Sequence, residues 1–149
     1  MMDTSSIEMI LDECRVEIQR NMADNDINAS GRTSASFKVE TYAGGLRLVS
    51  RGDNIAPFAT IEKGNPPIWL SRNVLRQWVI EKGIEFNSEE ERERFVWNLQ
   101  QKIGWEGTER HRNPNHDITT PPITEAVEKL KEATKTMIFK EITSVINGN

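Results

Sequence analysis

Ser36-Phe37-Lys38-Val39-Glu40-Thr41-Tyr42-Ala43-Gly44-Gly45-Leu46-Arg47-Leu48-Val49-Ser50 decides the fold class of this chain. Phe37, Val39 and Thr41 alternate with Ser36, Lys38 and Glu40, the period of two that sends successive side chains to opposite faces of a strand. Gly44-Gly45 suits a tight hairpin turn, and the alternation resumes at Leu46, Leu48 and Ser50. The stretch predicts an antiparallel hairpin. Two strands alone are marginal in water, so they must pack on a helix or pair with further strands, some of them from another copy.

Helical periodicity surrounds this hairpin. Ile7, Leu11, Cys14, Ile18 and Met22 recur every three or four residues and predict a helix over about 4–25, followed by a turn through Asn25-Asp26-Ile27-Asn28-Ala29-Ser30-Gly31. After the hairpin come a loop at Asp53–Pro57, a short ordered piece at Phe58–Glu62, and a helix-excluding break at Gly64-Asn65-Pro66-Pro67. Ser71 can cap a helix with Val74, Leu75, Trp78 and Val79 inward and Gly83 as its end. Ser88 with Glu91 reads as a capping box opening a third helix, with Phe95, Leu99 and Ile103 inward and Gly104 as its stop. From 105 to 122 no period is sustained, which predicts an extended loop or projecting arm. Ile123, Val127, Leu130, Met137, Ile138, Ile142 and Val145 predict a long amphipathic C-terminal helix over about 123–147, with more apolar face than a small core can cover. The expected architecture is α+β: a small antiparallel sheet or hairpin packed with an N-terminal helix, two short central helices and a long C-terminal helix. At 149 residues, the chain is expected to form one structural domain spanning 1–149.

Composition narrows the function classes. The formal net charge is −4, which disfavours a protein whose main task is gripping the phosphate backbone with clustered Lys and Arg. No apolar run reaches membrane-spanning length, and the acidic start lacks the basic region of a signal peptide, so the expectation is a cytosolic protein without membrane contact. Cys14, the single cysteine, has no internal disulfide partner and sits on the apolar stripe of the first helix with no activating histidine, where free cysteine behaves as a small hydrophobe.

Candidate chemistry is sparse. His111 and His116 stand five apart in the presumed loop, a spacing that suits neither a helical nor a strand metal pair. Glu89, Glu90, Glu91 and Glu93 complement a helix dipole. Ser30-Gly31-Arg32 is too short for a phosphate loop. The reading is no enzyme, with no catalytic residue, no metal and no cofactor. Four tryptophans are many for this length, and tryptophan is enriched in cores and at interface hot spots. Trp78 follows a core-facing stripe, whereas Trp97 falls off the stripe of its helix and Trp69 and Trp105 stand in breaks between helices; these three are candidate subunit contacts. Pro57, Phe58, Arg110, Arg112 and Ile118 join them as candidate contacts from the 57–69 loop and the 105–122 arm. The arginines Arg32, Arg47, Arg51, Arg72, Arg76, Arg110 and Arg112 lie among acids, as expected of a solvated surface or of ion pairs between subunits.

The order of these features resembles the tail-completion (neck) proteins of tailed bacteriophages. That family carries a Thr-Gly-Arg-Leu-x-x-Ser-like turn entering a strand, matched here by Ser30-Gly31-Arg32-Thr33-Ser34-Ala35-Ser36-Phe37 with Thr33 in place of the leucine. Its Pro-Tyr-Ala segment followed by Glu-x-Gly resembles Pro57-Phe58-Ala59-Thr60-Ile61-Glu62-Lys63-Gly64, one residue shorter here. Its later Lys-Ile, Gly-Thr and basic residues match Lys102-Ile103, Gly107-Thr108, Arg110 and Arg112, and Pro122 leads the last helix. The resemblance spans about 10–130 and rests on the ordered combination of short motifs. It implies a virion protein that assembles in the host cytoplasm into a homo-oligomeric ring at the head-tail junction. The implied partners are portal-side connector proteins, tail proteins, and DNA sliding through the channel without sequence-specific binding. Alternatives are another connector, ring or head-completion protein of a short-tailed phage, a small DNA-binding regulator, or a small hydrolase, which would need a convergent set of acids or histidines.

Overall fold

A computed structural model of the chain describes residues 4–27, 31–51, 58–114 and 117–147. Helix α1 (Thr4–Asp24) buries Ile10, Cys14, Ile18 and Met22, spaced four apart; Ile7 and Leu11 sit on the flank of that stripe, half-buried. It ends as the turn residues require: Asp26 takes a φ of 52°, and the amides of Asp26 and Ile27 donate to the carbonyls of Ala23 and Met22 at 3.1 and 2.9 Å. A four-residue turn of helix, α2 (Arg32–Ala35), starts after Gly31 with its φ of 75°. Ser36 closes it, its hydroxyl donating to the Thr33 carbonyl at 2.6 Å and lying 2.9 Å from the Ser50 hydroxyl. That second contact fastens the two ends of the hairpin.

Strands β1 (Phe37–Tyr42) and β2 (Gly45–Ser50) pair antiparallel in the register Phe37 opposite Ser50 through Tyr42 opposite Gly45. The hairpin packs on α1, and Phe37 enters the core while Tyr42 stays at the exposed tip, with the Arg47 guanidinium 5.2 Å from its ring centre. The expected loop at Asp53–Pro57 lies outside the described residues. The ordered piece after it is a short helix, α3 (Phe58–Lys63).

Helix α4 (Arg72–Glu81) is capped by the Ser71 hydroxyl, which accepts from the Val74 amide. Leu75 and Val79 are buried, but Val74 is on the outer face and Trp78 is only half-buried. The helix stops where Gly83 takes a φ of 67° and the amides of Gly83 and Ile84 bond back to Ile80 and Val79. Helix α5 (Glu89–Glu106) has the Ser88 cap, but Glu91 reaches the amide of Asn87, one residue before the cap position. Its inward stripe is Val96, Leu99 and Ile103; Phe95 lies on the flank against Phe86, ring centres 5.3 Å apart. Gly104 is buried inside α5 and does not end it. The helix ends at Gly107, whose φ is 79°.

The projecting arm expected at 105–122 is not what the chain builds. After α5 comes a short helix, α6 (Glu109–Arg112), and helix α7 already begins at Thr120 and runs to Asn147. Pro121 and Pro122 fall in its first turn, where amides lack intrahelical partners and proline costs nothing. Ile118, expected at a partner contact, is fully buried, because as the apolar residue between Asp117 and Thr119 it joins the α1 residues, Phe37, Ile61 and Ala126 in the first core.

The α+β architecture holds, with two apolar cores. One gathers α1, Phe37, Ile61, Ile118 and Ala126; the other lies between α4 and α5. Ion pairs join them, Arg32 to Glu81 at 2.9 Å and Lys82 to Asp26 at 2.8 Å. Ile18 is the pivot of the first core and is 0% exposed. Ile18→Ala is expected to cost about 3 kcal/mol, read as a lower denaturation midpoint at unchanged slope.

Candidate functional site

Two segments more than forty residues apart meet in a clasp. The Asn65 amide donates to the Thr108 hydroxyl at 2.9 Å, and the Thr108 amide donates to the Asn65 carbonyl at 3.0 Å. Such closeness requires glycine on both sides. A Cβ on Gly64 (φ 72°) would lie 2.6 Å from the His111 amide nitrogen, and one on Gly107 would lie 2.8 Å from the Asn65 carbonyl oxygen. The Arg110 guanidinium then reaches the Ile61 carbonyl at the end of α3. Burial pulls the Arg110 pKa below its ordinary value, with the nearby Glu62 charge opposing.

Glu62 is the charged residue deepest in this region, only 4% exposed. One carboxylate oxygen accepts both the amide and the hydroxyl of Thr119 at 2.7 Å. Burial alone would raise its pKa, but the hydrogen bonds from Thr119 and Thr120 outweigh that and hold the carboxyl below the usual carboxylate range. The charge also sits at the N-terminus of α7, where the helix dipole favours an anion. Glu62 is therefore a structural anion that seats the last helix on α3. The motif residues Glu62, Gly64, Gly107, Thr108 and Arg110, scattered along the sequence, stand together in space.

Beside the clasp, the 64–71 segment runs along α5, with the Ile68 amide on the Ile103 carbonyl at 3.4 Å and the Gln100 side chain on the Leu70 carbonyl at 2.7 Å. Trp69 lies across Gly104, where any Cβ would meet its ring at 2.7 Å. Trp105 meets Trp69 edge to face, ring centres 5.6 Å apart and planes at 80°. Trp97 stands two turns before Gly104 on the same side of α5. Trp69, Trp97 and Trp105 are 54%, 47% and 73% exposed, so together with Ile68 they form an uncovered aromatic face. An exposed apolar surface of this kind is a candidate place of contact.

Among the described residues, no three of His, Cys, Asp and Glu are placed to hold a metal ion, and no helix is long and apolar enough to cross a membrane. Cys14 is buried and its thiol pKa is raised, first by burial and then by Glu17 and Glu125. His111 lies exposed on α6, and His116 is outside the described residues. Comparison with protein-family models, curated proteins and solved structures returns no match.

Of the residues singled out as contacts, the structure brings Trp69 and Trp105 together and sets Trp97 on the same face. Arg110 is turned inward to Ile61, and Arg112 pairs with Glu106 at 2.7 Å within the chain. Pro57 and the side chain of Phe58 lie outside the described residues. Other arginines also pair within the chain: Arg47 and Arg51 with Glu40, and Arg76 clamped on both oxygens of Glu93 at 2.7 and 2.6 Å, which ties α4 to α5. Sequence reasoning missed the partnership of Glu62 with Thr119. No local signal announces it, since a hydrogen bond across 57 residues leaves no trace in the neighbouring sequence.

Proposed function

We propose that this chain is a structural protein of a tailed-bacteriophage particle, a tail-completion or neck component that assembles as a ring at the head-tail junction. The observation that carries the reading is the clasp. The short motifs on which the family resemblance rests, Glu62-Lys63-Gly64, Gly107-Thr108 and Arg110, converge on one structural feature that fixes α3, α6 and the start of α7 against each other. Residues that share a structural task are expected to appear together in a family, which gives the degenerate motifs a common physical cause. The uncovered tryptophan face supports the same reading, because a particle component needs surfaces that become buried only on assembly.

The proposed mechanism is mechanical. Each copy offers one surface to the next, the rotation closes, and the ring joins portal-side connector to tail while DNA passes through the channel. The net charge of −4 suits a wall along which DNA slides without being gripped. The test is co-sedimentation of the purified protein with DNA-filled heads and, separately, with tails. Binding to one of them is the expected result, and Trp105→Ala is expected to weaken it at least tenfold while changing stability by less than about 1 kcal/mol, since the ring is largely solvated in the free chain. A protein that stays monomeric and binds neither heads nor tails would contradict the proposal.

A further inference from the structure

The chain leaves the body of the fold at Asn65 and returns at Thr108, and the clasp bonds these two residues to each other. Between them lie α4, α5 and the segment that runs along α5. They hold together as one unit, through the Ile68 and Gln100 bonds and the Arg76 clamp on Glu93. The unit has an apolar core of its own, Leu75, Val79, Val96 and Ile103, which shares no residue with the core around α1. Both connections are built to turn. Pro66 and Pro67 carry no amide hydrogen with which to fasten the outgoing strand, and the returning strand passes through Gly107 at a φ of 79°. A cleft of about 990 Å³ separates the unit from the body, with Ile27, Thr33 and Ile61 on the body side and Leu70, Trp78 and Leu99 facing them. Packed interiors hold few voids larger than a water molecule, so the two cores are not packed on each other across this space. Leu70, Trp78 and Leu99 are accordingly only half-buried.

We infer that the α4–α5 unit is a hinged lid that turns about the Asn65–Thr108 clasp and is latched over the cleft by ion pairs at the far end of α4. That end lies ~15 Å along the helix from its start. There Glu81 takes Arg32 at 2.9 Å and Lys82 takes Asp26 at 2.8 Å, and the Lys82 ammonium also donates to the Asp26 carbonyl. The side chains on the body side, Arg32 and Asp26, are 54% and 89% exposed, so the latch stands in solvent, where ion pairs are weak and salt screens them. Opening breaks these pairs and divides neither apolar core, which makes it a local opening of low cost rather than unfolding. Trp69, Trp97 and Trp105 travel with the lid, so opening re-aims the aromatic face relative to α1 and α7 and uncovers the Leu70, Trp78 and Leu99 wall of the cleft. The inference stands independently of the neck reading.

Pulsed electron paramagnetic resonance on the full chain tests the hinge. Spin labels go on Ala35→Cys beside the latch and Glu85→Cys on the lid, both exposed, while the native Cys14 is buried. A control pair, Glu85→Cys with Asn98→Cys, lies wholly within the lid. With the latch intact, one narrow Ala35–Glu85 distance is expected at about 0.01 M salt, and at about 1 M a second, longer distance holding at least about a tenth of the molecules. Glu81→Arg sets two like charges against each other and is expected to show the longer distance already at low salt. The swap Arg32→Glu with Glu81→Arg restores opposite charges and is expected to bring back the single short distance. The control distance is expected to stay constant in every sample. A distance that stays single in Glu81→Arg, one that stays single at 1 M salt with the latch intact, or an opening that the swap fails to reverse would each overturn the latched hinge. So would a control distance that changes along with the first, because the lid would then be melting rather than turning.

Discussion

Glu62→Ala is expected to lower the free energy of unfolding by about 3 kcal/mol and the midpoint of thermal unfolding by about 10 °C. The buried carboxylate takes the Thr119 amide and hydroxyl, both at 2.7 Å, so truncation leaves two buried donors without their acceptor. Hydrogen bonds to a charged group are worth more than neutral ones, and an abandoned buried donor carries its full desolvation cost. Glu62→Gln keeps one acceptor and removes the charge, and it is expected to lose about half as much. The pH dependence separates the two contributions. The folded pKa of Glu62 is depressed, so its contribution is fully present above the unfolded value near 4.3 and is lost as pH falls through the folded value. Melts of the unaltered chain between pH 6 and about 3 should therefore show a loss that Glu62→Gln lacks. An identical slope in both proteins would mean that other carboxylates carry the acid sensitivity.

Gly64→Ala is expected to cost more, about 4 kcal/mol, with loss of the clasp. A φ of 72° alone costs an L-residue about 1–2 kcal/mol. The remainder comes from the 2.6 Å approach of the new methyl to the His111 amide nitrogen and the Thr108 hydroxyl, which can be relieved only by parting the 64–65 and 107–108 segments. Gly83→Ala is the matched control. Gly83 has a φ of 67° but open space around its Cβ position, so it is expected to lose only the conformational part. Equal destabilisation of the two variants, measured by urea unfolding, would show that the clasp contributes nothing beyond backbone conformation.

What the sequence made legible was whatever local periodicity and turn chemistry determine. The α1 stripe, the hairpin with its glycine turn, the Ser71 and Ser88 caps and the stop at Gly83 all follow from residues within a few positions of one another. The features that escaped depend on partners distant in sequence. Gly104 reads as a helix stop, yet α5 continues through it; the glycine serves instead to admit the Trp69 ring into the space a side chain would need. The 105–122 stretch lacks a period because its order comes from Asn65, Ile61 and Glu62 rather than from a repeating apolar face. Ile118 illustrates the same limit: its burial depends on α1 and α7 closing over it. Trp97 stands off the inward stripe of α5 and is exposed, whereas Trp105, read as lying in a break between helices, belongs to the last turn of α5 because the helix continues through Gly104.

The central claim is that the chain is part of the particle at the head-tail junction. The most direct measurement is gold labelling of the protein in purified virions, viewed by electron microscopy, with mass spectrometry of the same virions. A neck component is expected among the virion proteins at several copies per particle, with gold confined to the neck. A chain present in infected cells but absent from purified virions would contradict it.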